Sequence, residues 1–260
     1  MQELTSADSL GRFLARLAGA AERLLVLDYD GTLAPFTPTR DKAAFYPGVA
    51  PLLREIIGAG TTVAFITGRG AAEMAARLPW TDIEIFGAHG HEHRDRDGRI
   101  HQLPLPADAL SALAHIERKL MGAGLLACAE RKHGTIAVHW RDASAELRAR
   151  IERELHGILP SLPATLLGIP FDGGFEFRTR GINKGTALVA LLERHAGATV
   201  AYLGDDLTDE DAFAALPPEG LGVLVRPLLR PTRAHLWLCP PGDLLAFLSS
   251  WTQAGPLPAR

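Results

Sequence analysis

Five short runs of apolar residues, several of which end in polar loops, place the strongest constraint on the fold of this chain. They read LLVL, TVAFITG, IEIFG, TVAYLGDD and LGVLV. Amphipathic helical patterns lie between them, and one repeats Val49, Leu53 and Ile56 at helical spacing. Continuously apolar strands that alternate with such helices are typical of a parallel sheet covered on both faces. The sequence therefore predicts a doubly wound α/β fold.

Residues 104–180 follow a different pattern. They read as a helix followed by two strands, and then a second helix followed by two more strands. This grouping favours a small antiparallel sheet with helices on one face. We therefore expect residues 1–103 and 181–260 to form one core, with residues 104–180 as an inserted α+β domain.

Composition excludes several classes of partner. The formal net charge of −3 argues against nucleic acid and anionic membranes, which would favour a basic face. No apolar run approaches the roughly 18 residues of a membrane helix, and arginines interrupt the N-terminal region where a secretory signal would lie. The distant Cys128 and Cys239 are expected to be reduced, packed thiols. We expect a cytoplasmic monomer that binds a small molecule.

Four polar stretches follow strand ends or precede a helix, and their chemistries complement one another. They are DYDGT, TGR, NKG and GDDLTDED. Ligands of open parallel sheets bind beyond the carboxyl ends of the strands, so we expect these stretches to meet at one site. Carboxylates suit a divalent cation, a hydroxyl and a helix N-terminus suit phosphate, and a lysine neutralises charge.

Each stretch also has an ordinary structural interpretation. Aspartates at these positions could cap turns and helices, and Asp209 and Asp211 are expected mainly as caps or as groups that hold the metal ligands. Lys184 could be solvated, but a lysine at a helix start opposes the helix dipole, which a bound anion would explain. The coincidence of four compatible strand ends favours a functional site.

The same stretches carry a resemblance to a known family. In their order, and with an insertion between the second and the third, they resemble haloacid dehalogenase-type phosphatases. The segments LDYDGTLAPF, AERKHGTIAVHWR, FEFRTRGINKGTAL and YLGDDLTDEDAF resemble trehalose-6-phosphate phosphatases in particular, as does GAHGHEHR. In that last segment the family usually has a small or apolar residue where His91 stands. The resemblance implies a Rossmann-like core, an inserted cap domain and hydrolysis of trehalose 6-phosphate.

It also implies roles for the acidic residues. Asp28 would be a carboxylate nucleophile, and Asp30 would protonate the leaving sugar oxygen and then deprotonate water. A cation with all-oxygen ligands is expected to be Mg²⁺, held by Asp28, the backbone carbonyl of Asp30 and Asp205, with waters steadied by Asp206. Thr67, Gly68 and Lys184 would bind the phosphoryl oxygens.

Sugar recognition is expected from one core loop and from the insertion. Alternation along strands places Glu130 and Lys132 on one face, and likewise Glu176 and Arg178. A pair of solvent-exposed polar strands would show the same pattern. The expected sugar-binding residues are Arg69, His89, Glu130, Lys132 and Glu176.

Two questions stay open on the sequence. His89, His91 and His93 alternate, so the loop could bind zinc or contact the sugar, and the roles of His91 and His93 are undefined. The protein could also be a phosphatase of another sugar phosphate, such as sucrose phosphate or mannosylphosphoglycerate, or a catalytically silent sugar-phosphate sensor. A sensor would need no nucleophile such as Asp28, and the full set of catalytic residue types counts against it.

Overall fold

The computed structural model describes residues 1–5, 9–37, 42–141, 143–171 and 173–255. The strands are β1 Gln2–Glu3, β2 Arg23–Leu27, β3 Thr62–Ile66, β4 Glu84–Gly87, β5 Glu92–Arg94, β6 Ile100–Gln102, β7 Ala129–Lys132, β8 Thr135–His139, β9 Leu166–Phe171, β10 Gly174–Thr179, β11 Thr199–Gly204, β12 Leu221–Val225 and β13 Leu236–Leu238. The helices are α1 Ser9–Gly19, α2 Val49–Gly58, α3 Ala71–Ala75, α4 Ala107–Gly122, α5 Ala145–Ile158, α6 Lys184–Arg194, α7 Glu210–Ala215 and α8 Gly242–Thr252.

The chain divides into two compact units. The first combines Met1–Ile100 with Asn183–Arg260, and the second is His101–Ile182. In the first unit the strand order is β1-β13-β12-β11-β2-β3-β4-β5. The pairs from β13 through to β4 are parallel, and the two outer pairs are antiparallel. The predicted α/β fold with a parallel-dominated sheet is confirmed.

Alternation along each central strand divides the core of the first unit into two layers. On β2, Leu25 and Leu27 belong to a cluster with residues of α1, α2 and α8, whereas Leu24 and Val26 belong to a cluster with residues of α6 and α7. Successive side chains of a strand point to opposite faces, so an uninterrupted apolar run buries both. This explains why β2 is apolar from Leu24 to Leu27.

The second unit is a four-stranded antiparallel sheet in the order β7-β8-β10-β9, covered on one face by α4 and α5. Ile136, Val138 and Phe177 pack on that face against the helices. The other face is polar, because Glu130 of β7 and Glu176 of β10 both lie opposite Ala137 of β8. This register places the two glutamates on the same face of the sheet.

The structure also bears on two expectations from composition, one about membrane helices and one about the cysteines. None of the helices in the described ranges combines the length and hydrophobicity that crossing a bilayer requires. Both cysteines are free thiols, and Cys128 is half-buried. Cys239 is exposed, so the expectation that both thiols are packed is wrong for that residue.

Candidate active site

Asp28 and Lys184 form the centre of the site. Asp28 directly follows β2, and Lys184 is the first residue of α6. The Lys184 Nζ lies 3.1 Å from Asp28 Oδ1, and both side chains are buried. Burial alone would lower the pKa of Lys184, but the carboxylates of Asp209 and Asp28 outweigh it and raise this pKa above its ordinary value. The lysine therefore stays charged inside the protein.

The NKG stretch sets the position of this lysine. Asn183 caps α6, since its side chain accepts from the Thr186 backbone N–H at 2.9 Å and the Thr186 hydroxyl accepts from the Asn183 N–H at 3.0 Å. Gly185 packs closely on α7, because a Cβ there would lie 2.5 Å from the Asp211 carbonyl oxygen. Cap and close packing together direct Lys184 inward.

Asp209 holds Lys184 from the other side. Its Oδ1 accepts from Lys184 Nζ at 2.8 Å and from the Tyr202 hydroxyl at 2.5 Å. Its Oδ2 accepts from the backbone N–H groups of Asp205 and Asp206, at 3.1 and 3.0 Å. Four donors occupy the acceptor positions of one carboxylate, so Asp209 holds its neighbours in place and has little capacity left for a ligand.

Asp205 approaches Asp28 across the loop that follows β2. A Cβ on Gly31, whose φ is +83°, would lie 2.1 Å from Asp205 Oδ2, so only glycine fits there. Thr32 bridges the two acids, since its hydroxyl lies 3.4 Å from Asp28 Oδ2 and 3.4 Å from Asp205 Oδ1. Two arginines hold the Asp205 carbonyl from outside, with Arg226 NH1 at 3.2 Å and Arg230 NH2 at 3.4 Å.

The acidic cluster fits a divalent cation. Within the described residues, carboxylate oxygens of Asp28, Asp205 and Asp209 lie within 4.8 Å of one another. Burial raises the pKa of Asp28 to about 7, although Lys184 opposes it, and burial together with Asp28 raises the pKa of Asp205 well above its ordinary value. Carboxylates this crowded are disfavoured in the ionised form unless a cation compensates them, and an all-oxygen donor set suits Mg²⁺.

The sequence also predicts Asp30 and Asp206 at the metal, but the carboxylates of these two residues lie outside the cluster. Asp206 is exposed beside the cluster, and the Asp30 carboxylate is turned to Arg69. The expected contributions were a backbone carbonyl from Asp30 and bound waters from Asp206, and both stay predictions. Asp209 joins the cluster as a supporting group, because it ends the short 3-10 helix Leu207–Asp209 and its carboxylate accepts from the backbone N–H groups of Asp205 and Asp206.

Arg69 has a place that the sequence did not suggest. We expected it at the sugar, but it is fully buried, with its Nε and NH2 each 2.6 Å from one Asp30 oxygen. Its NH1 donates to Glu73, and the guanidinium lies 5.5 Å from the centre of the Tyr29 ring. These contacts make Arg69 a partner of the predicted acid–base residue.

The remaining core residues lie around the TGR loop. Thr67 is buried at the end of β3, its N–H donates to the Phe86 carbonyl at 2.9 Å, and its hydroxyl accepts from the Arg69 N–H at 3.2 Å. The His89 ring packs on Gly68, because a Cβ there would lie 2.9 Å from two ring atoms. The structure thus brings Gly68 and His89 into contact, and their expected roles at the phosphate and at the sugar stay predictions.

The three alternating histidines do not form a cluster of potential metal ligands in the described part of the chain. His91 Nδ1 donates to the Ala88 carbonyl at 2.7 Å, whereas His93 Nε2 contacts Glu84 at 2.6 Å and its ring stacks on Phe86. Over the part of the chain that the structure describes, the acidic cluster around Asp28 is the only group of three or more potential metal ligands. The zinc alternative therefore finds no support.

In the second unit, the predicted sugar-binding residues share the polar face of the sheet. Lys132 Nζ lies 3.2 Å from Glu130 Oε2, and Arg178 NH1 lies 3.9 Å from Glu176 Oε2. Glu176 is buried, and burial raises its pKa even though Arg178 and Lys132 oppose the shift. This face thus offers carboxylate acceptors and an ammonium donor to hydroxyl groups.

The family model for trehalose-phosphatase matches residues 26–234, which include every candidate residue of both units. The chain belongs to the trehalose-phosphatase family. Over 233 residues it is 32% identical to an uncharacterized glycosyl hydrolase of Mycobacterium tuberculosis, covering 82% of this chain and 17% of that protein. Over 221 residues it is 28% identical to the trehalose-phosphate phosphatase of the same species, covering 80% of this chain and 54% of that protein.

The chain therefore spans about half, or less, of the length of these curated relatives. Among solved structures, the C-terminal domain of trehalose-6-phosphate phosphatase from C. albicans superposes with a TM-score of 0.78 at 20% identity. The superposition covers 97% of this chain and 99% of that domain. At this identity the likeness establishes the fold that the family resemblance implied.

Proposed function

We propose that this member of the trehalose-phosphatase family is a Mg²⁺-dependent phosphatase that hydrolyses trehalose 6-phosphate to trehalose and phosphate. One observation carries the proposal: the buried Asp28 carboxylate lies between the Lys184 ammonium and the Asp205 carboxylate at the carboxyl end of a parallel strand. A buried carboxylate beside a cation, in a loop suited to anions, supports nucleophilic attack on a phosphate ester.

In the first step, an Asp28 oxygen attacks phosphorus and forms a new P–O bond while the bond from phosphorus to the sugar oxygen breaks. Asp30 transfers a proton to the departing sugar oxygen, so trehalose leaves as a neutral alcohol. The phosphoryl group is then an acyl phosphate on Asp28. The two-point contact of Arg69 fixes the plane of the Asp30 carboxyl group.

In the second step, Asp30 takes a proton from water, whose oxygen attacks the same phosphorus. The bond between phosphorus and Asp28 breaks, which restores the carboxylate and releases inorganic phosphate. Asp30 therefore acts first as an acid and then as a base, and it returns to its starting state after each turnover.

Phosphate binding falls to Thr67, Gly68 and Lys184. Lys184 is supported in this role by its buried, charged state and its fixed position between Asp28 and Asp209. Mg²⁺ would be held by Asp28, the Asp30 carbonyl and Asp205, with Asp206 supporting bound waters, and its charge would offset the negative charge of the phosphoryl oxygens. Asp209 holds the loop that carries Asp205 and Asp206.

The two units divide the work in this proposal. Residues 1–103 and 181–260 would form the catalytic core, and residues 104–180 the cap that recognises the sugar. Glu130, Lys132 and Glu176 support that role, since carboxylates accept from vicinal hydroxyls and an ammonium group donates. His89 would contact the substrate from the core. A cytoplasmic location and a monomeric state stay predictions from composition.

Phosphate release from a panel of sugar phosphates tests the proposal. The panel contains trehalose 6-phosphate, sucrose phosphate, mannosylphosphoglycerate and glucose 6-phosphate, each with Mg²⁺ and with EDTA. We expect the highest kcat/KM for trehalose 6-phosphate with Mg²⁺. A preference for another sugar phosphate would transfer the same chemistry to that substrate, and binding of trehalose 6-phosphate without turnover would identify a sensor.

A further inference from the structure

The turn between β4 and β5 has an unusual backbone. Ala88 and His89 are consecutive residues with φ values of 48° and 58°, in the left-handed region that glycine normally occupies. A side chain with a Cβ is strained there, and two such residues in a row persist only when surrounding contacts hold them. The contacts that do so therefore matter to whatever this turn positions.

Four hydrogen bonds hold the turn. The Ala88 N–H donates to the Arg69 carbonyl at 2.7 Å, and the His89 N–H donates to the Thr67 carbonyl at 2.9 Å. The other two come from His91 and share the Ala88 carbonyl oxygen: the backbone N–H donates to it at 3.2 Å, and the ring Nδ1 lies 2.7 Å from it. A carbonyl oxygen only accepts, so the Nδ1 of this fully buried ring carries the proton and donates it.

The turn delivers the His89 ring to the TGR loop. A Cβ on Gly68 would lie 2.9 Å from both Cε1 and Nε2 of His89, so the imidazole edge rests directly on the glycine backbone. Gly68 lies between Thr67 and Arg69, whose carbonyls hold the turn. The position of the His89 ring therefore depends on the left-handed backbone conformation of His89 itself.

We propose that His91 is a positioning residue: its Nδ1–H donates to the Ala88 carbonyl, keeps Ala88 and His89 in the left-handed conformation and so fixes the His89 ring on Gly68. The meaning of that position for catalysis rests on the proposed function, in which Gly68 binds phosphate and His89 contacts the substrate. His91 itself is buried behind the turn and touches no substrate.

Five variants separate this role from simple packing, and one of them combines His89→Ala with His91→Phe. His91→Phe fills the cavity without a donor, whereas His91→Asn offers an amide N–H near the position of Nδ1. Ala88→Gly combined with His91→Phe removes the strain that the lost hydrogen bond opposed, since glycine tolerates a φ of 48°. His89→Ala removes the ring that is positioned. Thermal unfolding of each variant confirms that it is folded.

The first measurement needs no turnover. We expect a nuclear Overhauser effect between His89 Hε1 and the Gly68 α protons in the wild type and in His91→Asn. It should be at least halved in His91→Phe and should recover in the Ala88→Gly and His91→Phe double variant. Wild-type intensity in His91→Phe would overturn the proposal, whether or not the protein proves to be a phosphatase.

The second measurement is a double-mutant cycle on kcat/KM for trehalose 6-phosphate. We expect His91→Phe to lower this value roughly tenfold, with recovery in His91→Asn. In the His89→Ala background, His91→Phe should have almost no further effect, because its action passes through the ring already removed. A second tenfold loss in that background would show that His91 acts by another route and would overturn the proposal.

Discussion

Arg69 and Asp30 form a two-point ion pair, in which the guanidinium Nε and NH2 each lie 2.6 Å from a different carboxylate oxygen. The arginine is fully buried, and its NH1 donates to Glu73, so the position of the guanidinium is fixed from two sides. Planar contact of this kind sets the orientation of a carboxylate in a way that a single lysine ammonium cannot reproduce.

This relationship predicts a leaving-group effect. Arg69→Lys should lower kcat on trehalose 6-phosphate about tenfold or more, because Asp30 is no longer held in position to protonate a sugar alkoxide. Hydrolysis of p-nitrophenyl phosphate should fall much less, since nitrophenolate leaves without a proton. The check is steady-state kinetics on both esters, with Glu73→Gln as the control that removes only the second partner. Equal losses on both esters would assign Arg69 to folding alone.

The acidic cluster predicts a divalent-metal requirement. EDTA should abolish phosphate release and excess Mg²⁺ should restore it, while Asp205→Asn should raise the Mg²⁺ concentration needed for half-maximal activity by tenfold or more. Asp206→Asn should have a smaller effect, because Asp206 is exposed beside the cluster. Mg²⁺-induced shifts of the unfolding temperature give a second readout. Full activity after exhaustive chelation would contradict the metal role.

The raised pKa of Asp28 predicts how stability varies with pH in the absence of metal. Burial raises this pKa to about 7, against about 3.9 in an unfolded chain. Between these values the folded protein binds more protons than the unfolded chain, so the contribution of Asp28 to the free energy of unfolding decreases as pH rises. Asp205 shifts in the same direction.

Denaturant unfolding in EDTA at several pH values between 4 and 8 measures this effect. Wild type should lose more stability across that interval than Asp28→Asn, whose side chain does not titrate. Mg²⁺ should reduce the loss near neutral pH, because it favours the ionised carboxylates. Parallel curves for the two proteins would show that Asp28 does not carry the shift.

The apolar runs and helical spacings were sufficient to predict the sheet and its two helical layers. The same logic predicted that Asp28 and Asp205 meet, because each follows a parallel strand and such strands bring their carboxyl ends to one edge. Lys184 reaches the same place from the start of a helix. The polar face of the second unit followed from alternation, which places Glu130 and Glu176 on one side once their strands pair with β8. The regular spacing of apolar and polar residues was therefore sufficient to predict the sheet, the helical layers and the polar face.

The errors and omissions concern side chains whose direction depends on distant partners. Nothing in the TGR stretch shows whether the long Arg69 side chain turns outward to a sugar or inward to Asp30. The four donors on Asp209 include Lys184, which lies 25 residues away in the chain. Ala88 and His89 have positive φ angles, which are normally found at glycine. Because neither residue is a glycine, the sequence does not predict this conformation.

The cap assignment predicts a substrate-selective loss. If Glu176 recognises only the sugar, Glu176→Ala should lower kcat/KM for trehalose 6-phosphate by at least about tenfold, which matches the loss of a hydrogen bond to a charged group. A small aryl phosphate, which presents no sugar hydroxyls, should be hydrolysed at nearly its original rate. Glu154→Ala on helix α5 of the same unit is a matched control.

Circular dichroism confirms that each of these two variants is folded. A loss on aryl phosphate as large as the loss on trehalose 6-phosphate would mean that Glu176 supports the fold or the core chemistry. The sugar-reading role of the polar face would then have to be abandoned.

Rapid-quench analysis with trehalose 6-phosphate labelled in its phosphate group tests the central claim, nucleophilic attack by Asp28, most directly. Wild type should carry protein-bound label within the first turnover, on a peptide that contains Asp28. Asp30→Asn should slow turnover by roughly 10² to 10⁴, and Asp28→Asn should show neither label nor turnover while remaining folded. Phosphate release by Asp28→Asn at the wild-type rate, with no protein-bound label in either protein, would contradict the account.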